Sequence, residues 1–590
     1  MRRQPTFSLA TLDRLGSPPP SVMAKVLRPK MTPELEAFME RRHLTIEDIL
    51  SRAWGAFKLC LIISLPLDLF LILTLHWQGL AYAIAASLGL PLLISSWIAN
   101  LPKAECLAEE TSILRESPSV VGMMIMSIHL RPSLEVAIAF ASSQPGTLQG
   151  RLREAAWRAL TKASEGMETS LLELTASLSD ANDCVRQAFH LLLAAMHESG
   201  REGLQRLLDR ANAVVLQGVR DSTELYVSSL STPTMVLFAV GILVPVLLFS
   251  MMPLQAIAGA SSVQGSTGSA AIPVAEMAAL LLVILPLFAF AYSRSILVKN
   301  PVGQRAERPE VVKVDLLAGG MWAASLLTLL ILFPLEEHPY EILFILGIPP
   351  ALYLVWRSNA SHRTTLKDRG AEVDLISALF QVGNRMAGGA SFEKALEQTA
   401  SSRGDGFFES RARVLLHRTR VSRMTVDVAL AEDDVFRSRF PLIWSAFLTV
   451  AESSSRDARA AGKVALNLAS NLDDIRKCRT KTDETLRSTV EMMQATSTYF
   501  APIILGVTAS LFSLTENISA LGLQQTGVLT ALTGVYILEL VLLITYFTTF
   551  LRGDGRWDEM LYRFGTRAPV ALALFTLVSL FSRVTMTQLV

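Results

Sequence analysis

Apolar residues in this chain gather in long blocks separated by polar stretches. Runs of roughly 18 or more apolar residues are long enough to cross a ~30 Å hydrocarbon core as helix. They occur at Phe57 to Leu75 and Leu80 to Ile98, Met235 to Leu254 and Ala271 to Ile296, Leu316 to Phe333 and Ile342 to Trp356, and Tyr499 to Leu514 and Val528 to Leu551. A ninth, Pro569 to Thr587, is interrupted by Arg583, a residue whose long side chain snorkels to an interface at modest cost. The pattern predicts nine membrane helices, eight of them paired in hairpins. The first begins more than fifty residues in and lacks a small-residue cleavage site, so it reads as an anchor rather than a signal peptide.

Between the blocks, Leu, Ala, Val and Met recur at three- and four-residue spacing without β-rich alternation, which predicts helices. In the first polar region these are Thr111 to Ser143 (divided at Pro118 and Pro132), Leu152 to Glu165, Ser170 to Leu178 and Val185 to Gln217. In the second they are Val373 to Met386, Phe392 to Ala400, Glu409 to Arg420 and a long stretch from Pro441 toward the membrane, with a turn at Gly388-Gly389. Near the N-terminus, Thr32-Pro33-Glu34 reads as a helix start and Thr45 as a second, whereas the residues before Thr32 read as disordered. The expected fold is all-α and polytopic: an N-terminal region 1–56, hairpins at 57–98, 232–296, 316–356 and 498–551, helical domains at 99–231 and 357–497, loops at 297–315 and 552–568, and a last helix at 569–590.

Composition agrees, since 51% of the residues are apolar and only 18% charged, against about 25% in soluble domains. Lipid is therefore the solvent for part of the chain. With 54 Lys and Arg against 53 Asp and Glu, the net charge of +1 removes any global argument for nucleic-acid binding. Four scattered cysteines without CxxC spacing suggest reduced thiols rather than a disulfide framework, zinc or redox site. Local charge does set an orientation. His76 to Gly79, Gln255 to Ala270, Pro334 to Glu341 and Thr515 to Gly527 contain no Lys or Arg, whereas alternate loops carry Arg294, Lys299, Arg305, Arg308 and Lys313, or Arg552, Arg556, Arg563 and Arg567. Lys and Arg stay on the cytoplasmic side. The bare loops are expected outside, and the N-terminus and both polar regions in the cytoplasm of a multi-pass protein of the cell membrane.

The two halves repeat. Ser133-Leu134-Glu135-Val136-Ala137 matches Ser391-Phe392-Glu393-Lys394-Ala395, 258 residues on, and Glu198-Ser199 matches Glu452-Ser453. The membrane blocks shift by similar amounts, so a unit of hairpin, bundle and hairpin occurs twice. Because each unit crosses an even number of times, the repeat is parallel rather than inverted.

A bundle containing Gly388-Gly389-Ala390-Ser391-Phe392-Glu393-Lys394-Ala395-Leu396, then Glu452-Ser453-Ser454 some sixty residues on and a membrane hairpin, resembles the type II secretion F-type domain. That domain belongs to the inner-membrane platforms of type IV pili and type II secretion. Two copies with nine crossings resemble the archaeal branch, the platforms of the archaellum and of adhesive pili, which are related to tight-adherence platforms. The resemblance covers about 100 to 550; the first copy departs from it at Arg131-Pro132, where a glycine is expected before Ser133. It implies a non-enzymatic platform beneath a growing filament, engaged by a hexameric secretion-type ATPase and by pilin or archaellin subunits in the bilayer. It leaves monomer against self-dimer open, and archaellum against adhesive pilus.

The absent chemistry points the same way. The single Gly-Lys pair, Gly462-Lys463, has Asp457 where a Walker A loop needs its first Gly and Val464 where it needs Ser or Thr; HExxH and GxSxG are missing as well. No catalytic residue, cofactor or metal is expected. His190 and His197, seven apart, read as a packed or solvated stripe rather than a metal pair. Asp68, Glu276 and Glu539 lie in or at the edges of membrane blocks, where an ionised carboxylate needs a partner or water. An ion pathway would favour the alternative reading, a secondary transporter or channel on a parallel repeat, but three isolated acids make no relay. An enzyme with an unrecognised site has no support. For the ATPase, the candidate docking residues are Arg411, Arg418, Arg456, Arg459, Lys463, Arg476 and Lys477, weighed against a solvated or headgroup-facing surface. Arg456, Arg459 and Lys463 share a helical face. Asn517-Ile518-Ser519 is a sequon in an expected outer loop.

Overall fold

The computed structural model describes residues 31–42, 45–62, 91–92, 94–130, 132–142, 146–251, 280–300, 339–402, 406–455, 457–518, 526–553 and 556–589, with 20, 23, 28 and 322 singly. Among these residues the regular structure is helical and no strand occurs. The chain divides into two compact units, Met1–Ile113 with Ser179–Asn182, and Leu114–Leu178 with Asp183–Val590. In the first, α1 (Pro33–Arg42) starts as expected, with Thr32 Oγ1 accepting from Leu35 N at 3.4 Å. A second helix, α2, follows over residues 46–62, where Thr45 Oγ1 accepts from Asp48 N (3.2 Å) and Thr45 N donates to Asp48 Oδ2 (3.1 Å). This reciprocal pair satisfies two donors that a helix start leaves orphaned. Leu35, Phe38, Met39, Ile49 and Cys106 close the core of this unit, and Arg41 and Arg42 pair with Glu109.

The second unit opens inside α3 (Leu101–Leu130), which runs through Pro118 unbroken and stops ahead of Pro132. Then come α4 (Leu134–Ser142), α5 (Thr147–Leu160), α6 (Met167–Ala176), α7 (Asp183–Met196) and α8 (Arg201–Ser229). The expected helix Val185 to Gln217 is two, because His197-Glu198-Ser199-Gly200 supplies a break before α8. Glu116 fixes the start of α5 by accepting from Thr147 N (2.7 Å) and Leu148 N (3.0 Å), a favourable place for an anion. Beyond α8 the helix continues as α9 (Ser231–Phe238), a π-helical turn (Ala239–Leu243) and residues 244–251. A second π-turn (Leu280–Ile284) leads into α10 (Leu285–Leu297).

The 49-residue helix α11 (Pro339–Ala387) is followed by α12 (Phe392–Ser402), α13 (Phe407–Ser422), α14 (Val426–Ala431), α15 (Asp434–Arg439), α16 (Pro441–Ser454) and α17 (Ala458–Ala495). The stretch from Pro441 is therefore also two helices: Asp457 caps α17, its carboxylate accepting from Arg459 N and Ala460 N. Helix α17 buries Ala461, Ala465, Leu468, Ala469, Leu472 and Ile475, the three- and four-residue spacing of one face. That face meets Leu375, Leu379, Val382 and Met386 of α11 in a core shared with Phe392, Phe408, Phe436 and Phe447. A π-turn (Thr496–Phe500), α18 (Ala501–Ile518), α19 (Thr526–Leu551) and α20 (Trp557–Leu589) complete the chain.

Among the described residues, five helices are long and apolar enough to cross a membrane: Glu202–Met251, Leu280–Leu297, Pro339–Ala387, Gly527–Leu551 and Trp557–Thr585. The blocks 57–75, 80–98 and 316–333 lie largely outside the described residues, and so do Asp68, Glu276 and most of the bare loops. Helix α19 is central, with 72% of its apolar window buried by protein against 22% for Leu280–Leu297. Glu539 sits in it with Oε2 buried and without a hydrogen-bond partner among the described residues. Neighbouring helices supply polar partners: Tyr536 Oη donates to Gly241 O of the first π-turn (2.5 Å), Tyr340 pairs with Ser579 (2.8 Å) and Ser510 with Ser582 (2.7 Å). Where water is absent, such side chains must satisfy one another. Two of these helices, Glu202–Met251 and Pro339–Ala387, run past the boundaries expected at 231 and 356, and the boundary expected at 497 also falls inside continuous helix.

Candidate functional site

The short motif shared by the two halves has a physical explanation. Ser133 Oγ accepts from Val136 N (3.5 Å) and Ser391 Oγ from Lys394 N (3.4 Å), so each serine caps the helix that follows it. Glu135 and Glu393 stand exposed in the first turn, and Ala137 and Ala395 are fully buried. The motif is a helix start with a small residue pressed into the bundle.

The candidate docking residues are dispersed. Arg411 of α13 lies over the Phe407 ring (5.7 Å) and 3.7 Å from the buried Asp433 carboxylate, which ties it into the bundle. Arg413 binds Glu409, and Arg420 binds Glu397 at 2.6 Å; Arg418 is exposed on the same helix. Arg423 ends α13 in the left-handed conformation, φ 52°. Arg456 lies outside the described residues, whereas Arg459 and Lys463 are exposed one turn apart on α17. The Arg459 guanidinium rests over the turn at Gly389, whose φ of 97° favours glycine. Three turns further on, Arg476 (2.8 Å) and Lys477 (2.8 Å) both bind Asp473. Lys477 and then Arg476 hold the Asp473 carboxyl below the usual carboxylate range, while burial pushes its neighbour Asp474 up. The structure brings Arg459 and Lys463 together on one face and Arg476 with Lys477 on another stretch of the same helix; Arg411 is apart from both.

Three features had little sequence signal. Gly462, read above only as a failed phosphate loop, is where α17 crosses α11: a Cβ there would lie 2.3 Å from Ala387 N and 2.8 Å from Gly383 O. Asn212 of α8 donates to Asn471 of α17 (3.1 Å), 259 residues away, at a site where Asn212 is 6% exposed. Glu559 of α20 is held by His362 Nδ1 (2.7 Å) and Arg563 Nε (2.9 Å), with the His362 ring stacked on Tyr562 at 4.1 Å. Only the near coincidence of 259 with the repeat spacing could have singled out the asparagines.

His190 is exposed and His197 bonds Glu168 at 3.1 Å. No group of three or more metal-ligating side chains gathers among the described residues. Burial raises the Cys184 thiol to about 11 and also raises Cys478. Asn517, expected in a loop, falls in the last turn of α18 because no Gly or Pro interrupts the chain before Gly522. No known protein family, curated protein or solved structure matches the chain.

Proposed function

We propose that the chain is a cell-membrane platform for assembling a type IV pilus-like filament. In this reading two copies of one unit, with nine crossings and a cytoplasmic N-terminus, couple a hexameric secretion-type ATPase to the insertion of pilin or archaellin subunits. The spacing of its elements carries the reading. Helix starts recur at Leu134 and Phe392, Thr147 and Phe407, Met167 and Val426, Asp183 and Pro441, and Arg201 and Ala458, and the π-turns at Ala239 and Thr496; every pair is 257 to 260 residues apart. Asn212 and Asn471 fit the same spacing and touch, as equivalent positions beside a pseudo-two-fold axis do. Glu202–Met251, which leaves the first bundle, and Pro339–Ala387, which leads into the second, are each one helix that includes a stretch apolar enough to cross a membrane, so a force applied to a bundle would reach the lipid through rigid elements.

On this reading the exposed pair Arg459 and Lys463, with Arg456 before them, offers a cationic face to an acidic ATPase rim. Reversing all three to Glu weakens recruitment of the ATPase, on the order of 2 kcal/mol for three surface pairs, and the loss shrinks as salt rises. Co-purification of the inserted variant with its ATPase at low and high salt is the test. Unchanged recruitment at low salt and normal filaments would make this face merely solvated.

A further inference from the structure

Two short helices, one in each bundle, carry the same charges in the same places. Counted from their first residues, Thr147 and Phe407, α5 and α13 have arginine at the fifth, seventh and twelfth positions: Arg151, Arg153 and Arg158 in one, Arg411, Arg413 and Arg418 in the other. Both bury their second, third, sixth and ninth residues, which leaves the seventh and twelfth arginines exposed on each. Each helix ends beside a cation in the left-handed conformation, Lys162 at φ 59° and Arg423 at φ 52°, which a residue with a Cβ rarely adopts. Residues 150–165 hold four cations against two acids, and 410–424 five against none. Arg158 pairs with Glu154 (2.9 Å) and Arg420 with Glu397, whereas Lys162, Arg418 and Arg423 make no ion pair among the described residues. Large apolar side chains stand exposed among these cations, Trp157 (66%) and Leu160 at the first turn, Val421 (66%) and Met424 at the second. Exposed Trp and Arg side by side have the composition of an interface anchor.

Depth decides what kind of partner these turns meet. Trp356, 74% exposed at the end of the apolar half of α11, marks headgroup depth. Arg385 lies about 43 Å further along α11 at ~1.5 Å per residue. It donates to Gln398 of α12 (3.1 Å), whose neighbour Glu397 holds Arg420, so the end of α13 is at that distal level. In the first bundle Glu168, at the start of α6, bonds His197 (3.1 Å) just ahead of α8. The 29 residues of α8 then span about 43 Å before the apolar stretch begins. Both turns are therefore several screening lengths, each ~8 Å, from the headgroups, and a protein rather than lipid is the anion within reach. Two equivalent faces at one depth suit a partner that offers its own face twice. The exposed α17 pair does not recur in this way, because Arg459, second in α17, stands where α8 has Glu202.

We propose that the α5–α6 and α13–α14 turns are a matched pair of docking tips, each anchoring one subunit of a single ring-shaped partner with an acidic, partly apolar face. Lys162, Arg158 and Trp157 form the first tip, and Arg418, Arg423 and Val421 the second. The occupant is the hexameric ATPase, an identification that rests on the platform reading; a ring of even order presents the same face to both tips.

The full-length chain in nanodiscs, titrated with the hexameric ATPase, tests this. Attachment at two points means that losing either tip forfeits the gain in effective concentration. Arg158→Glu with Lys162→Glu, and separately Arg418→Glu with Arg423→Glu, should each weaken binding about tenfold or more and by similar factors. All four changes together should abolish it. Trp157→Ala, which leaves every charge in place, should weaken binding as well and serves if a reversal does not fold. Wild type that fails to bind the ATPase overturns the platform reading and this occupant with it. Wild type that binds while either reversal binds as tightly overturns the paired tips and leaves the platform reading standing. A reversal that lowers retention of phosphatidylglycerol with ATPase binding unchanged would overturn a protein as the occupant.

Discussion

Gly462 and Gly370 show how one residue type plays opposite parts at two places in the same helix pair. At Gly462 the backbones of α17 and α11 touch, and a Cβ would overlap Ala387 N and Gly383 O, neither of which is a movable side-chain end. Gly462→Val therefore destabilises the bundle by about 1 to 3 kcal/mol or more, the range for overpacking. At Gly370, exposed within α11, a Cβ meets nothing within 4 Å, and Gly370→Ala stabilises by about 0.5 to 1 kcal/mol through helix propensity. Thermal unfolding of the two variants beside wild type checks both signs. Charge at single residues has a pH signature. Because the folded pKa of Asp473 is depressed by Lys477 and Arg476, its contribution is present above the ordinary carboxylate value of about 4 and disappears as pH falls through the depressed value. Asp473→Asn should cost only about 0.2 to 1 kcal/mol at neutral pH, and the gap from wild type should close in acid. The seven nominated cations were legible as charges. The partner of Arg411 was not, because Asp433 reaches it from across a turn and helix that only tertiary packing brings back.

Among elements, hydropathy located the apolar blocks but could not place helix ends, because a helix's hydrogen bonds are indifferent to whether lipid or water surrounds the next turn. Thus α11 carries one ladder from Pro339 to Ala387 across the expected boundary at 356, and the breaks that do exist, at Gly200 and Asp457, lie in polar sequence where capping decides. Pairing of α8 with α17 left one trace in the sequence, the 259-residue separation of Asn212 and Asn471, close to that of Ser133 and Ser391. Its buried contact, Asn212 to Asn471, sets register, since sliding either helix by one turn would leave an amide among apolar side chains. Asn471→Ala should cost about 1 to 3 kcal/mol by stranding Asn212. Replacing both with Leu should cost less than the single change, because no polar group is then left unpaired. A double-mutant cycle read by chemical denaturation tests the coupling; additive effects would mean that the asparagines do not act as a pair.

For the whole molecule, sidedness combines an inference from charge with a constraint from packing. Loops bare of Lys and Arg should face outward, so single cysteines at Ser262 and Gln525, introduced after replacing the four native thiols, should react with an impermeant maleimide on intact cells. Cysteines at Ser361 and Ser453 should react only after lysis. The structure adds a relation that holds whichever way the protein inserts. Ser361 lies on α11 beyond the level of Trp356, and the same helix continues to Ala387 in the bundle core that α16, with Ser453, completes. These two positions must therefore label together. If Ser361 and Ser453 both react from outside, the charge argument and the ATPase docking face fall while the fold stands. If one reacts from each side, α11 cannot be the continuous helix that joins membrane to bundle, and the coupling between them fails with it.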